Sequence, residues 1–192
     1  TIDINAIKQA DYVIHLAGAG VADKRWTAKR KQEIQDSRTK SGSLLVKALQ
    51  ENTNKVKAVI CASAIGWYGA DRSSQILTGR NDFEETVLAA NDFLGQTCKL
   101  WEQSTDPLLQ LNKRLVKLRI GIVLSNLGGA LKEFKKPLRF GVATILGSGK
   151  QIISWIHIDD LVQLFIYALE NEKINGVYNA AAPNPVSNKE FI

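Results

Sequence analysis

"KVKAVICASAIGWYG", at residues 55–69, is the stretch of sequence that decides the fold. Its apolar run over 56–62 is typical of a strand buried on both faces, and small residues follow where such a strand ends. Similar runs occur at 11–17 and at 114–120, with helix-like stretches between them. This alternation predicts βαβ units in a mostly parallel sheet, with the three runs as neighbouring strands in chain order.

The stretches around these strands show the apolar spacing of helices that pack on a sheet. The helix-like stretches are 27–35, 41–52, 91–104 and 153–171, the last of which begins with an extended piece. A last short strand is expected at 176–181. The chain is therefore predicted to form an α/β fold.

In two other regions the apolar residues follow neither the spacing of a helix nor that of a strand. Residues 70–90 are polar and rich in turn-forming residues, which predicts a surface loop. Residues 126–150 contain five glycines and are predicted to be irregular, forming a lid or loop on the substrate side. We expect 126–150 and 176–192 to supply the substrate-side elements of one domain over 1–192.

Composition limits the class of protein. The apolar share of 45% and the charged share of 23% are those of an ordinary globular domain. No apolar stretch is long enough to span a bilayer, and the start shows no signal-peptide pattern, so no membrane partner is expected. Cys61 and Cys98 fit no metal or redox spacing, which favours reduced thiols in the cytoplasm and no metal site.

The net charge of +6 is concentrated in a basic block at residues 24–40. Such a block is found in proteins that bind nucleic acid, and also on solvated helix faces. Glu33 and Asp36 are spaced to pair with neighbouring lysines and arginines, and Trp26 is the only aromatic residue in the block. A solvated helix face is therefore favoured, and no nucleic-acid partner is expected.

The strand ends outline a cleft. A parallel sheet of this kind binds ligands beyond the carboxyl ends of its strands, where 16–20, 63–69 and 120–125 fall. Ala17, Gly18 and Ala19 carry almost no side chain, so a flat ligand can approach the backbone there. Tight packing of helix on strand would explain one such segment, but three strand ends of this kind favour a ligand site.

The linked motifs "HLAGAG", "SAIGWYG", "LRIGIVLS", "WIHIDD" and "YNAAAPNPVS" resemble the extended short-chain dehydrogenase/reductase superfamily. The segments "GVADKRWTAKRKQEIQDSR" and "CKLWE" resemble its atypical branch of nucleoside-diphosphate-sugar epimerases. The resemblance implies a Rossmann-like doubly wound parallel sheet that binds NAD or NADP. It also implies that a phosphate-binding glycine motif and the first strands precede this sequence, and that a tail follows it. The chain as given is then expected to bind dinucleotide poorly.

The superfamily's chemistry uses a Ser or Thr four residues before a strand-end Tyr, followed by a Tyr-x-x-x-Lys helix. If Tyr68 matches the strand-end Tyr, the hydroxyl position falls on Ala64, with Ser63 beside it. If the Glu after the motif matches Glu102, the resemblance puts Leu94 at the Tyr position and Cys98 at the Lys position. These two residues are spaced to share a helix face. We expect them to face the cleft below Ser63, so that the acid–base pair is substituted.

Ser63, Tyr68 and Arg38 remain as catalytic candidates. Tyr68 is favoured as a structural residue. Arg38 matches an Asn that the superfamily places near the nicotinamide; it cannot act as a base, but an arginine there can hold a carboxylate or phosphate on two donors. An exposed arginine without a function is the alternative. His157 is expected to be packed and hydrogen-bonded rather than to act as a base.

The resemblance also implies which residues contact the cofactor. They are Leu16, Ala17, Gly18, Ala19, Ala62, Ser63, Cys98 and Arg119. The substrate is expected to be a nucleotide sugar or another phosphate-bearing small molecule, and a homodimer remains open.

Three functions stay open at this point. The first is an NAD(P)-dependent, epimerase-like enzyme with a substituted catalytic set. The second is a catalytically degraded dinucleotide-binding protein with a regulatory role related to cell division. A nucleic-acid binder ranks last.

Overall fold

The structure is a computed structural model that describes residues 1–69, 84–138, 145 and 148–192. Its α-helices are α1 (Ile4–Gln9), α2 (Ala28–Glu51), α3 (Phe93–Gln103), α4 (Ala130–Leu138), α5 (Ile158–Glu170) and α6 (Asn188–Phe191). Its strands are β1 (Tyr12–His15), β2 (Ala58–Ala64), β3 (Arg114–Ile120), β4 (Ile122–Ser125), β5 (Gly128–Gly129), β6 (Ile152–Ile153), β7 (Trp155–His157), β8 (Gly176–Ala180) and β9 (Val186–Ser187). Two 3-10 helices, η1 (Ile65–Tyr68) and η2 (Asp106–Leu111), complete the elements.

The main sheet has the strand order β1-β2-β3-β8, and all of its pairings are parallel. β2 and β3 are in register from Ala58 opposite Arg114 to Ala64 opposite Ile120. The predicted α/β fold is confirmed, and so is the prediction that 11–17, 56–62 and 114–120 are neighbours. The carboxyl ends of β1, β2, β3 and β8 therefore lie along one edge.

The two faces of the sheet pack against different helices. Val59, Cys61 and Leu115 join residues of α2 and η2 in one core cluster. Ile60 and Leu118, which point to the opposite face because side chains alternate along a strand, pack with α5 in a second cluster. The sheet is thus the middle of three layers, with α2 and α3 on one side and α5 on the other.

α2 is one continuous helix of 24 residues, where the sequence predicted two helical stretches. Its hydroxyl side chains bond back to carbonyl oxygens of the preceding turn, as in Ser37 to Ile34 (2.9 Å) and Ser41 to Arg38 (2.9 Å). In this arrangement the polar side chains are satisfied without breaking the backbone ladder.

The prediction that 126–150 is irregular was wrong for its first half. β5 pairs antiparallel with β4, and Gly129 adopts a positive φ of 72° just before α4 begins. The expected strand at 176–181 is confirmed as β8. It is not the last, because β9 follows and pairs with β6.

Parts of two predictions lie outside the described residues, namely 70–83 of the first loop and 139–144 and 146–147 of the second region. In the part of the chain that is described, no helix has both the length and the apolar character needed to cross a membrane.

Candidate functional site

A buried ion pair lies at the edge of the main sheet where the strands end. Glu102 extends from α3 and Arg119 from the end of β3, and both side chains are more than nine-tenths buried. Arg119 Nε donates to Glu102 Oε1 at 2.9 Å and Nη2 to Oε2 at 3.1 Å, a two-pronged pair. Ser63, opposite Arg119 in the register, donates its hydroxyl to the same Oε1 at 2.6 Å. One carboxylate therefore joins α3 to the ends of β2 and β3.

The guanidinium of Arg119 also contacts η1, the turn that follows β2. Nη1 donates to the hydroxyl of Tyr68 at 3.2 Å, and the guanidinium lies 3.6 Å from the ring centre of Trp67. Tyr68 donates in turn to Asn179 Oδ1 on β8, at 2.7 Å. Burial opposes the charge, but the hydrogen bonds to Glu102 and Tyr68 raise the pKa of Arg119 above its ordinary value.

Residues 84–90 contain no helix or strand and are mostly exposed, as expected of the predicted surface loop, and they also contact this edge. Glu85 accepts from the backbone N–H of Asn179 through Oε1 (2.8 Å), and its carbonyl accepts from Arg119 (3.0 Å). Trp67 donates its ring N–H to the carbonyl of Val87 (2.8 Å). Sequence reasoning missed Glu85, because one acid within a polar run carries no periodic signal. For Glu102 a signal was present, since it shares the apolar face of a helix with Cys98.

Leu94 and Cys98 lie on the face of α3 that meets η1. A Cβ added to Gly66 would stand 3.2 Å from Leu94 Cβ and 3.6 Å from Cys98 Sγ. Burial, reinforced by the nearby Glu102 charge, raises the pKa of Cys98 to about 11. The pair beside the strand end thus consists of a hydrocarbon and a thiol that keeps its proton at neutral pH, so neither exchanges protons readily.

Arg38 of α2 lies across the end of β1. Its Nη1 donates to the carbonyls of Ala19 (2.9 Å) and Ile34 (3.0 Å), and its guanidinium carbon lies 4.9 Å from the ring centre of Trp101. A Cβ added to Gly18 would come within 3.1 Å of that carbon. Arg38 therefore reaches the cleft residues that the sequence singled out.

The other predicted site residues divide by exposure. Leu16, Ala17 and Gly18 are exposed beyond β1, and Ala19 is half-buried, while Ala62 and Ser63 are buried at the end of β2. The roles predicted for these residues, and for Tyr68, Cys98, Arg38 and Arg119, stay predictions.

His157 is hydrogen-bonded, as expected, but it is not packed in the interior. Its side chain is 48% exposed and caps α5, with Nδ1 accepting from the backbone N–H of Asp159 at 3.3 Å. Within the described ranges, no three His, Cys, Asp or Glu side chains are grouped so as to hold a metal ion.

The sequence profile of the NAD-dependent epimerase/dehydratase family matches residues 2–91 and 125–181. An epimerase family protein of Mycobacterium tuberculosis is 34% identical over 98% of this chain, which spans 60% of that protein. The chain therefore spans less than two thirds of this curated relative. The unmatched residues 92–124 contain α3, with Leu94 and Cys98.

Two solved structures share the fold. A nucleoside-diphosphate sugar epimerase from Corynebacterium glutamicum is 33% identical with a TM-score of 0.82, covering 100% of this chain and 38% of its own. A human epimerase family protein, solved with NADPH, is 30% identical with a TM-score of 0.83, covering 95% of this chain and 60% of its own. The Rossmann-like class predicted from the sequence is thereby confirmed.

Proposed function

The chain belongs to the NAD-dependent epimerase/dehydratase family, and on this premise we propose that the complete protein binds NAD or NADP. Small residues beyond the carboxyl ends of β1 and β2, namely Ala17, Gly18 and Ala64, would leave room for the flat nicotinamide ring. The substrate is a nucleotide sugar or another phosphate-bearing small molecule, and the compartment is the cytoplasm. The names of the relatives support the substrate class.

The observation that carries the proposal is the position of Leu94 and Cys98 against Gly66. Hydride transfer at a sugar carbon requires a proton to leave or join the neighbouring oxygen. Neither side chain supplies that proton, and the Ser63 hydroxyl already donates to Glu102. We therefore propose that the proton comes from water or from the substrate, and that the protein turns its cofactor over slowly.

The same observation supports a second candidate function. A dinucleotide-binding protein that has lost turnover and acts as a regulator requires the cofactor site but no acid–base pair. Turnover of a bound cofactor separates the two candidates.

The test is a titration of the complete gene product with NADPH and with NADH, in which affinity and cofactor oxidation are measured in the same sample. Ala17→Trp fills the exposed end of β1 and is expected to weaken binding at least about tenfold, a loss of about 1.4 kcal/mol. Leu127→Trp, at a side chain that is 98% exposed after β4, is the matched control and leaves binding unchanged.

Three outcomes decide between the functions. Slow oxidation that depends on added nucleotide sugar supports the enzyme. Tight binding without oxidation of either cofactor, across a panel of nucleotide sugars, supports the regulator. Absence of binding to both dinucleotides removes the proposal.

A further inference from the structure

Arg38 is a cation held rigidly at the mouth of the cleft. Its guanidinium is stacked over Trp101 and fixed through Nη1 to two carbonyl oxygens, those of Ala19 and Ile34. Gly18 lies so close that any side chain there would press on the guanidinium. An arginine immobilised in this way loses little further entropy when it binds a ligand, because its orientation is already set.

The charge of Arg38 has no counter-ion among residues 1–69, 84–138, 145 and 148–192. The buried arginines nearby differ in this respect, since Arg119 pairs with Glu102, and Arg30 pairs with Glu33 at 2.8 Å. Burial lowers the pKa of Arg38, which expresses the cost of keeping this cation out of water. An anion bound beside a cation that is partly removed from water offsets that cost.

Cys98, the titratable neighbour whose charge would compensate Arg38, does not do so at neutral pH. Burial raises the pKa of its thiol to about 11, so the sulfur stays protonated and neutral. The two free donor groups of Arg38, Nε and Nη2, bond to no described residue, and neither is a buried atom lacking a partner. They are the donors on one edge of the guanidinium that the described residues leave unused.

We infer that this edge of Arg38 is an anion subsite for a carboxylate or phosphate group carried by a small molecule bound in the cleft. Two parallel N–H donors match two oxygens of such a group, which is the geometry of the strongest arginine contacts. The inference rests on the proposed function in one respect: the anion is part of the ligand that lies against Gly18 and Ala19. It deepens that function by requiring an oxyanion near the reacting end of the ligand.

The test uses the complete gene product without cofactor, titrated with oxalate and separately with inorganic phosphate at constant ionic strength. Binding is measured by calorimetry and by tryptophan emission, because Trp101 lies under the guanidinium. Arg38→Gln removes the charge and is expected to weaken binding of the preferred anion at least about tenfold. Arg38→Lys keeps a charge without the two-pronged geometry. Its affinity for the anion is expected to fall between those of the wild type and Arg38→Gln. The better-bound probe identifies the source as carboxylate or phosphate.

Arg25→Gln is the matched control, because it removes one exposed guanidinium from the same basic block and should leave anion binding unchanged. Circular dichroism establishes whether each variant is folded. If Arg38→Gln does not fold, Arg38→Lys still tests the inference. Equal binding by wild type and the folded Arg38 variants overturns the inference, and so does the absence of saturable binding of either anion. NADPH titration of the same samples reports on the cofactor site separately. A failure of the proposed function can therefore be distinguished from a failure of the anion subsite.

Discussion

The hydroxyl of Ser63 donates to Glu102 Oε1 across 2.6 Å, so the hydroxyl nearest the end of β2 points into the layer of α3. The same carboxylate holds Arg119 with both of its oxygens. Ser63 is thereby part of the ion pair that joins helix and sheet.

Replacing Glu102 with Gln should lower the free energy of unfolding by about 3 kcal/mol, because it leaves the buried charge of Arg119 without its partner. Urea denaturation measures the change. Glu51→Gln is the control, since its pair with Lys47 is 3.9 Å long and both side chains are well exposed, so the effect should stay below about 0.5 kcal/mol. Similar losses in the two variants would contradict the assignment of Glu102.

Gly95 should not tolerate alanine, although alanine is usually the better helix former by about 1 kcal/mol. A Cβ at Gly95 would collide with the backbone carbonyl of Ala90, which packs on α3. We expect Gly95→Ala to destabilise the protein by more than about 1 kcal/mol. Gly128→Ala, where no described atom beyond the chain neighbours lies within 4 Å of the added Cβ, serves as the comparison in the same melting experiment. A stabilised Gly95→Ala protein would rule out this packing.

A double variant of Leu94 and Cys98 tests the prediction that α3 carries a substituted acid–base pair. Leu94→Tyr combined with Cys98→Lys in the complete protein should raise NADPH oxidation at least about tenfold, because a phenol beside a cation has a lowered pKa and passes its proton more readily. The nearby Arg38 charge should also lower the pKa of the new lysine. Oxidation is followed by the loss of reduced-cofactor absorbance.

The control for this restoration places the same side chains on the exposed face of α3, as Leu100→Tyr with Gln103→Lys. No gain is expected from that variant. An equal gain from both double variants, or none from either, would speak against a vacated acid–base position.

Stability should fall in alkaline solution because of the two buried thiols. Burial raises the pKa of Cys61 and of Cys98 to about 11, against an ordinary value of 9.0. Between these values the unfolded chain releases thiol protons that the folded chain retains, so rising pH favours unfolding. Each thiol contributes about 1.4 kcal/mol per pH unit in that window, and nothing well below it.

Urea unfolding from about pH 8 to about pH 10.5 measures this slope. Cys98→Ala should reduce the slope by one thiol's share relative to wild type, while the contributions of lysines and tyrosines cancel in the comparison. An unchanged slope would mean that Cys98 is not shielded from water.

The order of the main strands could be predicted because it depends on local patterns. Apolar runs such as 56–62 carry their own signal, and parallel crossovers leave few arrangements. The continuity of α2 could not be predicted, since serines and threonines read as interruptions until their bonds to helix carbonyls are known. α4 was missed because its glycine-rich entry, at Gly128 and Gly129, looks like a loop.

The candidate site was less predictable than the fold. The resemblance to the superfamily implied that Leu94 and Cys98 are a substituted acid–base pair, which stays a prediction. The contacts that decide what each residue can do join positions far apart in sequence, such as Tyr68 with Asn179 and Glu85 with Arg119. Contacts of this kind depend on how strand ends meet in space, which no single segment encodes.

The seven-residue register between β2 and β3 determines where this chain can change in length. Removing one residue inside either strand would turn every later side chain to the opposite face and bring Ser63 and Arg119 out of line with Glu102. Insertions and deletions are therefore tolerable only outside the span from Ala58 to Ala64 and the span from Arg114 to Ile120. Divergent copies of this chain should show gaps in the turns beyond these strands while the strands themselves keep a constant length.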